Sequence, residues 1–172
     1  VFNNNILLSS YSSYKIGGQA RFFYEAKTIE AIITAVEKAR YARLPIFVLG
    51  GGTNLIFSDT GFHGLVLKPK LEKIESNSPV ITAGAGVLMS DLLEFAISKG
   101  LSGLEWAGGL PGTLGGAIRG NAGAFQGEIK DSVNEVSSLK INDATPQIVK
   151  RTNAECRFGY RSSIFKVKNG AE

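Results

Sequence analysis

The stretch "GGLPGTLGGAIRGNAGAFQGE" (residues 108–128) is the most informative part of this chain, because it is too bare to build a core. It contains eight glycines, and Arg119 is its only large charged side chain before Glu128. Shorter glycine clusters, "LGGGTN" (49–54) and "AGAG" (83–86), occur at the ends of predicted strands. Bare backbone after a strand lets N–H groups point at an anion with no side chain in the way. Three such clusters predict ligand binding rather than tight turns alone.

The composition predicts a folded chain with a real core. It has 172 residues, of which 44% are hydrophobic and 20% are charged. This excludes a disordered chain and favours one domain or two tightly packed subdomains. The formal net charge is +4, and basic residues such as Lys68, Lys70 and Lys73 are dispersed among hydrophobic and acidic ones. Such a distribution is typical of a solvated face, so we expect no nucleic-acid partner.

The cysteine and histidine counts exclude several kinds of site. Cys156 is the only cysteine, so no intrachain disulfide can form, and His63 is the only histidine, so no metal site is expected. No apolar run approaches the roughly 20 residues that a membrane-spanning helix needs, and no signal peptide is visible. We therefore expect a cytoplasmic protein that does not enter the membrane.

Hydrophobic periodicity predicts a chain of mixed α and β structure. Helices are expected over 28–42, capped by Thr28, and over 90–100, capped by Ser90 and ending at Gly100. The other regular segments are predicted strands, at 46–50, 64–68, 80–86, 133–141 and 145–151, the last two joined by a turn at residues 142 and 143. The polar segment 70–79 is the predicted boundary between two subdomains, with a simple polar loop as the alternative.

The best-known phosphate-binding motifs do not fit the glycine clusters. A dinucleotide fingerprint that starts at Gly50 needs glycine at position 55, where the chain has Leu55. A P-loop that starts at Gly115 needs Lys followed by Ser or Thr after Gly120, where the chain has Asn121. The sequence therefore argues against both a standard Rossmann site and a P-loop.

Three segments resemble the UDP-N-acetylenolpyruvoylglucosamine reductases, which are flavoenzymes of early peptidoglycan synthesis. They are "VLGGGTNLIFSDTGFHGLVL" (48–67), "AGAGVLMSDLLEFAISKGLSGLEWAGGLPGTLGGAIRGNAGAFQGEI" (83–129) and "AECRFGYRSSIFK" (154–166). The segment "SSYKIGGQARFF" (12–23) is similar to the family's opening motif. The resemblance implies an α+β fold of the vanillyl-alcohol-oxidase (PCMH) type, in which two subdomains clamp an extended, noncovalently bound FAD. These subdomains are expected at 1–70 and 71–172.

The resemblance also implies where FAD binds. Backbone N–H groups of residues 50–54 would hold the pyrophosphate, and residues 108–123 would pass close to the isoalloxazine and ribityl groups, where a Cβ would collide with the flat ring. Thr53, Asn54 and Thr113 are the expected side-chain donors, with turn capping as an additional role. His63 lies in a predicted turn, so covalent attachment of the flavin is not expected. The expected cofactor-binding residues are Gly50, Gly51, Gly52, Thr53, Asn54, Leu55, Gly108, Pro111, Gly112, Thr113, Gly115, Gly116, Ala117, Asn121 and Gly123.

The reaction of the family assigns roles to two further residues. In that family, hydride passes from NADPH through FAD to the enolpyruvyl group of a UDP-sugar. Arg161 matches the family's catalytic arginine, and a guanidinium suits the negative charge that develops on the substrate carboxylate. Tyr160 is expected to contact the substrate. The alternative is an aromatic core residue beside a surface arginine.

The family's proton-donating serine and its stabilising glutamate belong to a later substrate-binding domain, and they have no match up to Glu172. Ser162 and Ser163 are not expected to replace that serine. We therefore expect this chain to be the FAD-binding portion of such an enzyme, cut at both ends, monomeric, and not competent for full turnover. A stand-alone flavin-binding module and a sugar or alcohol oxidase of the same fold are the alternatives. The reading frame beyond Glu172 distinguishes a stand-alone module from the reductase. Dependence on a nicotinamide cofactor, as opposed to oxygen consumption, distinguishes the reductase from an oxidase.

Overall fold

The computed structural model describes residues 2–141 and 145–166. Its contacts divide the chain into two units, Val1–Glu72 and Lys73–Glu172. Both units combine helices with strands, which confirms the predicted α+β class. That these units act as FAD-binding subdomains, expected from the sequence at 1–70 and 71–172, stays a prediction.

The first unit is built on one sheet of four strands. Its elements are β1 (Asn3–Leu7), β2 (Gln19–Ala26), α1 (Ile29–Tyr41), β3 (Ile46–Val48) and β4 (Phe62–Pro69). The strand order is β1-β2-β4-β3, with β1 antiparallel to β2 and both β2 and β3 parallel to β4. Val66 of β4 pairs in register with Phe23 of β2 and with Phe47 of β3. Val66 and Phe23 are buried with Leu8 and Leu49, so the core reaches the residue that follows β3.

Helix α1 confirms the helix that the sequence predicts over 28–42. The Thr28 hydroxyl accepts a hydrogen bond from the Ala31 N–H at 3.1 Å, as expected of an N-cap. The buried residues of the helix are the small ones, Ala35, Val36 and Ala39, so the helix can pack closely on β2 and β4. The strands predicted at 46–50 and 64–68 are also present, as β3 and β4.

The second unit has a core of its own. Its elements are β5 (Ile74–Asn77), β6 (Val80–Ala83), α2 (Met89–Ser98), α3 (Leu114–Gly120), β7 (Gly123–Ala124), β8 (Gly127–Glu128), β9 (Glu135–Lys140) and β10 (Gln147–Thr152). Its strands pair antiparallel as β5 with β6, β7 with β8, and β9 with β10. The buried core residues are Val87, Met89, Leu92, Ala107, Ala117 and Ile129.

Helix α2 begins one residue earlier than predicted, and its predicted cap is wrong. Leu88 occupies the N-cap position without a side-chain hydrogen bond, and the Ser90 hydroxyl instead donates to Asp91. The backbone fixes this start, because the Met89 N–H donates to the Gly112 carbonyl at 3.0 Å. The predicted exit is confirmed, since Gly100 adopts a left-handed φ of +66° directly after the C-cap residue Lys99.

Several segments differ from the sequence prediction. The strand predicted over 80–86 ends at Ala83, where the chain turns and the Val87 N–H donates to the Gly84 carbonyl. The polar segment 70–79 contains β5, so it is not a simple loop. The strands predicted at 133–141 and 145–151 are present as β9 and β10, but the turn at residues 142 and 143 lies outside the described residues. Helix α3, inside the bare stretch, was not predicted.

Candidate functional site

Residues 50–55, here called the glycine loop, follow β3 in the first unit. Two of the loop's carbonyl groups accept hydrogen bonds from the serine pair near the start of the chain. The Ser13 N–H donates to the Gly52 carbonyl at 3.0 Å. The Ser12 hydroxyl, which is buried, donates to the Leu55 carbonyl at 2.9 Å. These bonds fix the path of the loop from one side.

A lysine fixes a third carbonyl of the glycine loop. Lys68 Nζ, at the end of β4, donates to the Gly50 carbonyl at 2.8 Å and lies 5.9 Å from the centre of the Tyr11 ring. The lysine is half-buried, and this burial lowers the pKa of its ammonium below the ordinary value. The first unit therefore holds a cation directly against the glycine loop.

The backbone N–H groups of the glycine loop have no acceptors among the described residues. Within residues 2–141 and 145–166, none of the six N–H groups of residues 50–55 donates a hydrogen bond. Backbone that presents free N–H groups while its carbonyls bond to the protein forms an anion-binding concavity. The arrangement fits the diphosphate of a dinucleotide cofactor.

Gly52 is bare for a different reason from the one the sequence suggests. It has a left-handed φ of +69°, and a Cβ built on it would lie 1.8 Å from the Tyr11 carbonyl oxygen. The absence of a side chain therefore lets the loop pack against the backbone of residue 11.

Residues 108–123 of the second unit, here called the glycine-rich stretch, combine an irregular segment with the short helix α3. The Leu114 N–H donates to the Val87 carbonyl at 2.8 Å, and the Gly115 N–H donates to the Ala85 carbonyl at 3.0 Å. A Cβ on Gly115 would lie 2.9 Å from Ala85 Cβ, so this glycine lets two backbone segments approach each other. The "AGAG" cluster of the sequence is thus the packing partner of the glycine-rich stretch.

Other glycines of this stretch have no such packing role. A Cβ on Gly116 would meet only Thr113 Oγ1, at 3.5 Å, and a Cβ on Gly108 only the Glu105 carbonyl oxygen, at 3.4 Å. Gly109 and Gly120 have no atom within 4 Å of such a Cβ. Apart from Gly109, whose φ of +77° favours glycine, these positions are bare without a need from the fold, and they leave room for a flat ring.

The three polar side chains expected to bind a cofactor make no hydrogen bonds to other described residues. Thr113 is the N-cap residue of α3, but its hydroxyl makes no capping bond although the residue is only 7% exposed. In the described part of the chain, the side chains of Thr53 and Asn54 also make no hydrogen bonds. All three are available to a ligand.

Asn121 differs from these residues because its side chain is committed to the protein. It is 1% exposed, and its amide nitrogen donates to the Gly159 carbonyl at 2.9 Å and to Glu128 Oε2 at 3.1 Å. Its amide oxygen accepts from the Lys130 N–H at 3.2 Å. The side chain has no N–H left for a cofactor.

Tyr160 and Arg161 lie on a tight turn, residues 159–162, here called the arginine turn. Gly159 and Ser162 exchange two backbone hydrogen bonds of 3.0 and 3.1 Å across it. Arg161 has a left-handed φ of +51°, and its carbonyl accepts from Lys166 Nζ at 2.7 Å. Tyr160 is 87% exposed, which excludes the alternative of an aromatic core residue.

The guanidinium of Arg161 has no carboxylate partner within the described ranges. It lines an open depression of the second unit with Tyr160, Glu128 and Lys130. The Glu128 carboxylate pairs with Lys130 Nζ at 2.6 Å instead. That hydrogen bond is the main reason why the pKa of Glu128 is lowered, and the charge of Arg161 contributes a smaller part. Arg161 is thus an exposed cation on a turn whose backbone is fixed by hydrogen bonds, with no ion pair in the described part of the chain.

The sequence analysis missed the three residues that shape the glycine loop. Ser12 and Ser13 begin the segment that resembles the family's opening motif, and this position was the available signal for them. Lys68 was assigned to a solvated face, and only the fold brings it against Gly50. His63 also differs from prediction, because it lies exposed within β4 rather than in a turn.

Comparison with known sequences agrees with a cofactor site of this kind. Residues 20–151 match the sequence model of an FAD binding domain, which is more than half of the chain. The chain belongs to this family of FAD-binding domains. The family and its structural neighbours also confirm the predicted fold.

Its relatives include UDP-N-acetylenolpyruvoylglucosamine reductases. The chain is 41% identical over 164 residues to the enzyme of that name from Solibacter usitatus, covering 92% of this chain and 50% of the relative. The crystal structure of UDP-N-acetylenolpyruvylglucosamine reductase (MurB) from Thermus caldophilus superposes with a TM-score of 0.73 at 30% identity, covering 95% of this chain and 57% of that one. Cholesterol oxidase from Brevibacterium sterolicum, at 16% identity and a TM-score of 0.65, covers 88% of this chain and 31% of that one and shares the fold alone. The chain spans about half the length of the curated relatives it matches.

The described residues lack two further features. No helix there is long and apolar enough to cross a membrane. No group of histidine, cysteine, aspartate and glutamate side chains in that part of the chain could hold a metal ion.

Proposed function

We propose that this chain binds one FAD noncovalently and serves an NADPH-dependent reductase that converts UDP-N-acetylglucosamine enolpyruvate to UDP-N-acetylmuramate. The similarity to reductases of that name supports the substrate class. The observation that carries the proposal is Arg161, whose guanidinium has no ion pair in the described chain and whose turn is fixed by the surrounding backbone. The proposal includes a monomeric protein of the cytoplasm that takes part in cell-wall synthesis, and thereby in cell shape and division.

The glycine loop would hold the cofactor's diphosphate. Three of its carbonyls are bonded to Ser12, Ser13 and Lys68, and its N–H groups have no acceptor in the described chain, so they are available to phosphate oxygens. Thr53 and Asn54 would donate from the same loop. The positive charge of Lys68 favours two phosphates further, since it lies against the loop at 2.8 Å from the Gly50 carbonyl.

The glycine-rich stretch would accept the flat part of the cofactor. Gly108 and Gly116 would place a Cβ in ordinary contact with one atom each, Gly109 and Gly120 would meet no described atom, and Thr113 offers a hydroxyl with no partner in the described chain. Bound FAD supplies the hydride relay between NADPH and the enolpyruvyl group. The residues of this chain bind and orient it.

Arg161 would act on the substrate. Hydride addition to the enolpyruvyl carbon–carbon double bond moves negative charge into the adjacent carboxylate, and a planar guanidinium can bind a carboxylate through two N–H groups. A guanidinium held at this carboxylate would stabilise the charge as it develops and so lower the barrier. Tyr160, adjacent and exposed, would contact the same substrate.

Ser163 does not fit the proton donor that completes the reaction, and Ser162 is not proposed as that donor. The Ser163 hydroxyl donates to the Arg119 carbonyl at 2.8 Å and the residue is 2% exposed. The Ser162 backbone is part of the arginine turn.

Cofactor binding is tested on the chain itself. The purified chain should bind one FAD, and acid precipitation should release the yellow flavin into the supernatant. Flavin that stays with the precipitated protein contradicts noncovalent binding.

The reaction is tested in the full-length protein that contains this chain. Arg161→Ala should leave flavin reduction by NADPH unchanged and slow reoxidation by the enolpyruvyl substrate on the order of 10²–10³-fold, with Arg161→Lys recovering part of that loss. Stopped-flow absorbance follows the two half-reactions separately. Arg157→Ala is the matched control, because Arg157 has a similar φ of +49° but lines a different surface. Reoxidation of Arg161→Ala at the wild-type rate contradicts the proposal, and reoxidation by oxygen without nicotinamide dependence indicates an oxidase.

A further inference from the structure

Asn121 connects three segments of the second unit through one buried side chain. It follows α3 in a left-handed conformation with φ of +44°. Its side chain bonds to Gly159 in the arginine turn, to Glu128 in β8 and to the backbone of Lys130. No other orientation of the amide fits, because a flipped group would place its oxygen against two acceptors.

The bond to Gly159 acts directly on the turn that carries Arg161. The Gly159 carbonyl accepts both the Asn121 amide and the Ser162 N–H, the second of which closes the turn. The far end of the turn is fixed to the same helix terminus, where the Ser163 hydroxyl donates to the Arg119 carbonyl. The arginine turn is therefore anchored at both ends to the last residues of α3 and the residue after it.

The bond to Glu128 removes a competitor of the substrate. Glu128 is a carboxylate that interacts with the charge of Arg161, which contributes a small part of the lowering of the Glu128 pKa. Asn121 and Lys130 both donate to Glu128 Oε2, at 3.1 and 2.6 Å. This leaves the guanidinium of Arg161 without an ion pair in the described chain.

We infer that Asn121 is a positioning residue for Arg161 rather than a ligand of the cofactor. It holds the arginine turn through Gly159 and, together with Lys130, donates to Glu128 Oε2. The inference rests on the function proposed above for Arg161. It gives Asn121 a role different from the cofactor-binding role expected from the sequence.

Asn121→Gly is the informative variant, because glycine keeps the left-handed backbone and removes only the side chain. In the full-length protein it should slow reoxidation by the enolpyruvyl substrate by roughly 10- to 100-fold, as a displacement of about 1 Å of a catalytic group can. FAD affinity and flavin reduction by NADPH should stay within about twofold. In an Arg161→Ala background, Asn121→Gly should add less than about twofold, since the group through which it acts is gone. Full additivity of the two losses, or loss of FAD binding, overturns the inference.

A second measurement does not depend on the reaction. In the chain itself, amide hydrogen exchange at Ser162 should be at least about tenfold faster in Asn121→Gly, while exchange at Ala122, bonded to the Ala117 carbonyl, stays unchanged. Unchanged protection at Ser162 overturns the inference. Exchange at Ser162 that is faster in Asn121→Gly shows that the anchor is real. If the flavin of Arg161→Ala is nevertheless reoxidised by the substrate at the wild-type rate, the proposed function is wrong. If Asn121→Gly does not fold, Ser163→Ala removes the other anchor and should slow the same half-reaction to a smaller extent.

Discussion

The glycine loop and the glycine-rich stretch have similar compositions but use their bare backbone differently. In the glycine loop, N–H groups have no acceptor in the described chain, and carbonyls bond to neighbouring residues. In the glycine-rich stretch, many N–H groups are used within α3 or on the segment around Ala85. The first region offers hydrogen-bond donors to a ligand, and the second offers space.

The comparison teaches that a glycine near a ligand site is not always bare for the ligand. Gly52 and Gly115 are bare because another backbone segment lies where their Cβ would be. Gly109 and Gly116 have no such neighbour. Substitutions at these two kinds of position should separate folding from cofactor binding.

The largest expected effect is at Gly52. In Gly52→Ala the new Cβ would lie 1.8 Å from the Tyr11 carbonyl oxygen at a left-handed φ, and the free energy of unfolding should fall by about 4 kcal/mol. Gly109→Ala is the matched control, with φ of +77° and no atom within 4 Å. Gly109→Ala should lower the free energy of unfolding only by the cost of a left-handed backbone, about 1–2 kcal/mol. Urea unfolding of the chain measures both, and equal losses would mean that Gly52 is needed for its φ alone.

The next effect separates two adjacent glycines. Gly115→Val should reduce the free energy of unfolding by about 2 kcal/mol, because the ideal Cβ lies 3.0 Å from the Ala85 carbonyl oxygen. Gly116→Val should leave stability within about 0.5 kcal/mol. It should still weaken FAD binding at least about tenfold, since the side chain stands where the ring is proposed to lie. Titration of flavin fluorescence gives the affinity, and a Gly116→Val chain with wild-type affinity would place the ring elsewhere.

The smallest effect concerns Lys68. Lys68→Met should weaken FAD binding on the order of fivefold, because it removes the half-buried cation of the glycine loop. Lys70→Met is the control, since Lys70 pairs with Glu72 at 3.0 Å on the surface, and its affinity should stay within about twofold. Burial lowers the pKa of Lys68, and deprotonation removes the positive charge. Wild-type affinity should therefore fall as the pH rises through that lowered pKa, and the Lys68→Met affinity should lack this step.

The sequence correctly predicted those helix ends that are determined by residues close to them in the chain. Thr28 and the apolar stripe after it are sufficient for α1, and Gly100 is sufficient for the end of α2. The cap at Ser90 failed because a distant backbone group, the Gly112 carbonyl, fixes where α2 begins. Helix α3 was missed because three of its seven residues are glycines, which disfavour helix, and its first turn is fixed instead by hydrogen bonds to residues 85 and 87.

The candidate site followed from the sequence only where a motif marks it. The glycine clusters and the segment around Arg161 could be identified from resemblance, and their roles as site residues stay predictions. The other contacts of the site join residues that are far apart in the sequence. Lys68 is 18 residues from Gly50, and Asn121 is 38 residues from Gly159. Neither pairing has a signature in a single sequence.

The anchoring of the glycine loop has a consequence for the speed of cofactor binding. Because Ser12, Ser13 and Lys68 bond to the loop's carbonyls from within the chain, we expect the conformational entropy of the loop to be lost when the chain folds rather than when FAD binds. A loop ordered in advance adds no slow rearrangement to the encounter, so its association rate constant need not fall below the range typical of rigid sites. Loosening one anchor, for example in Ser12→Ala, would then slow association, whereas removal of a side-chain donor such as Thr53 would mainly shorten the lifetime of the complex.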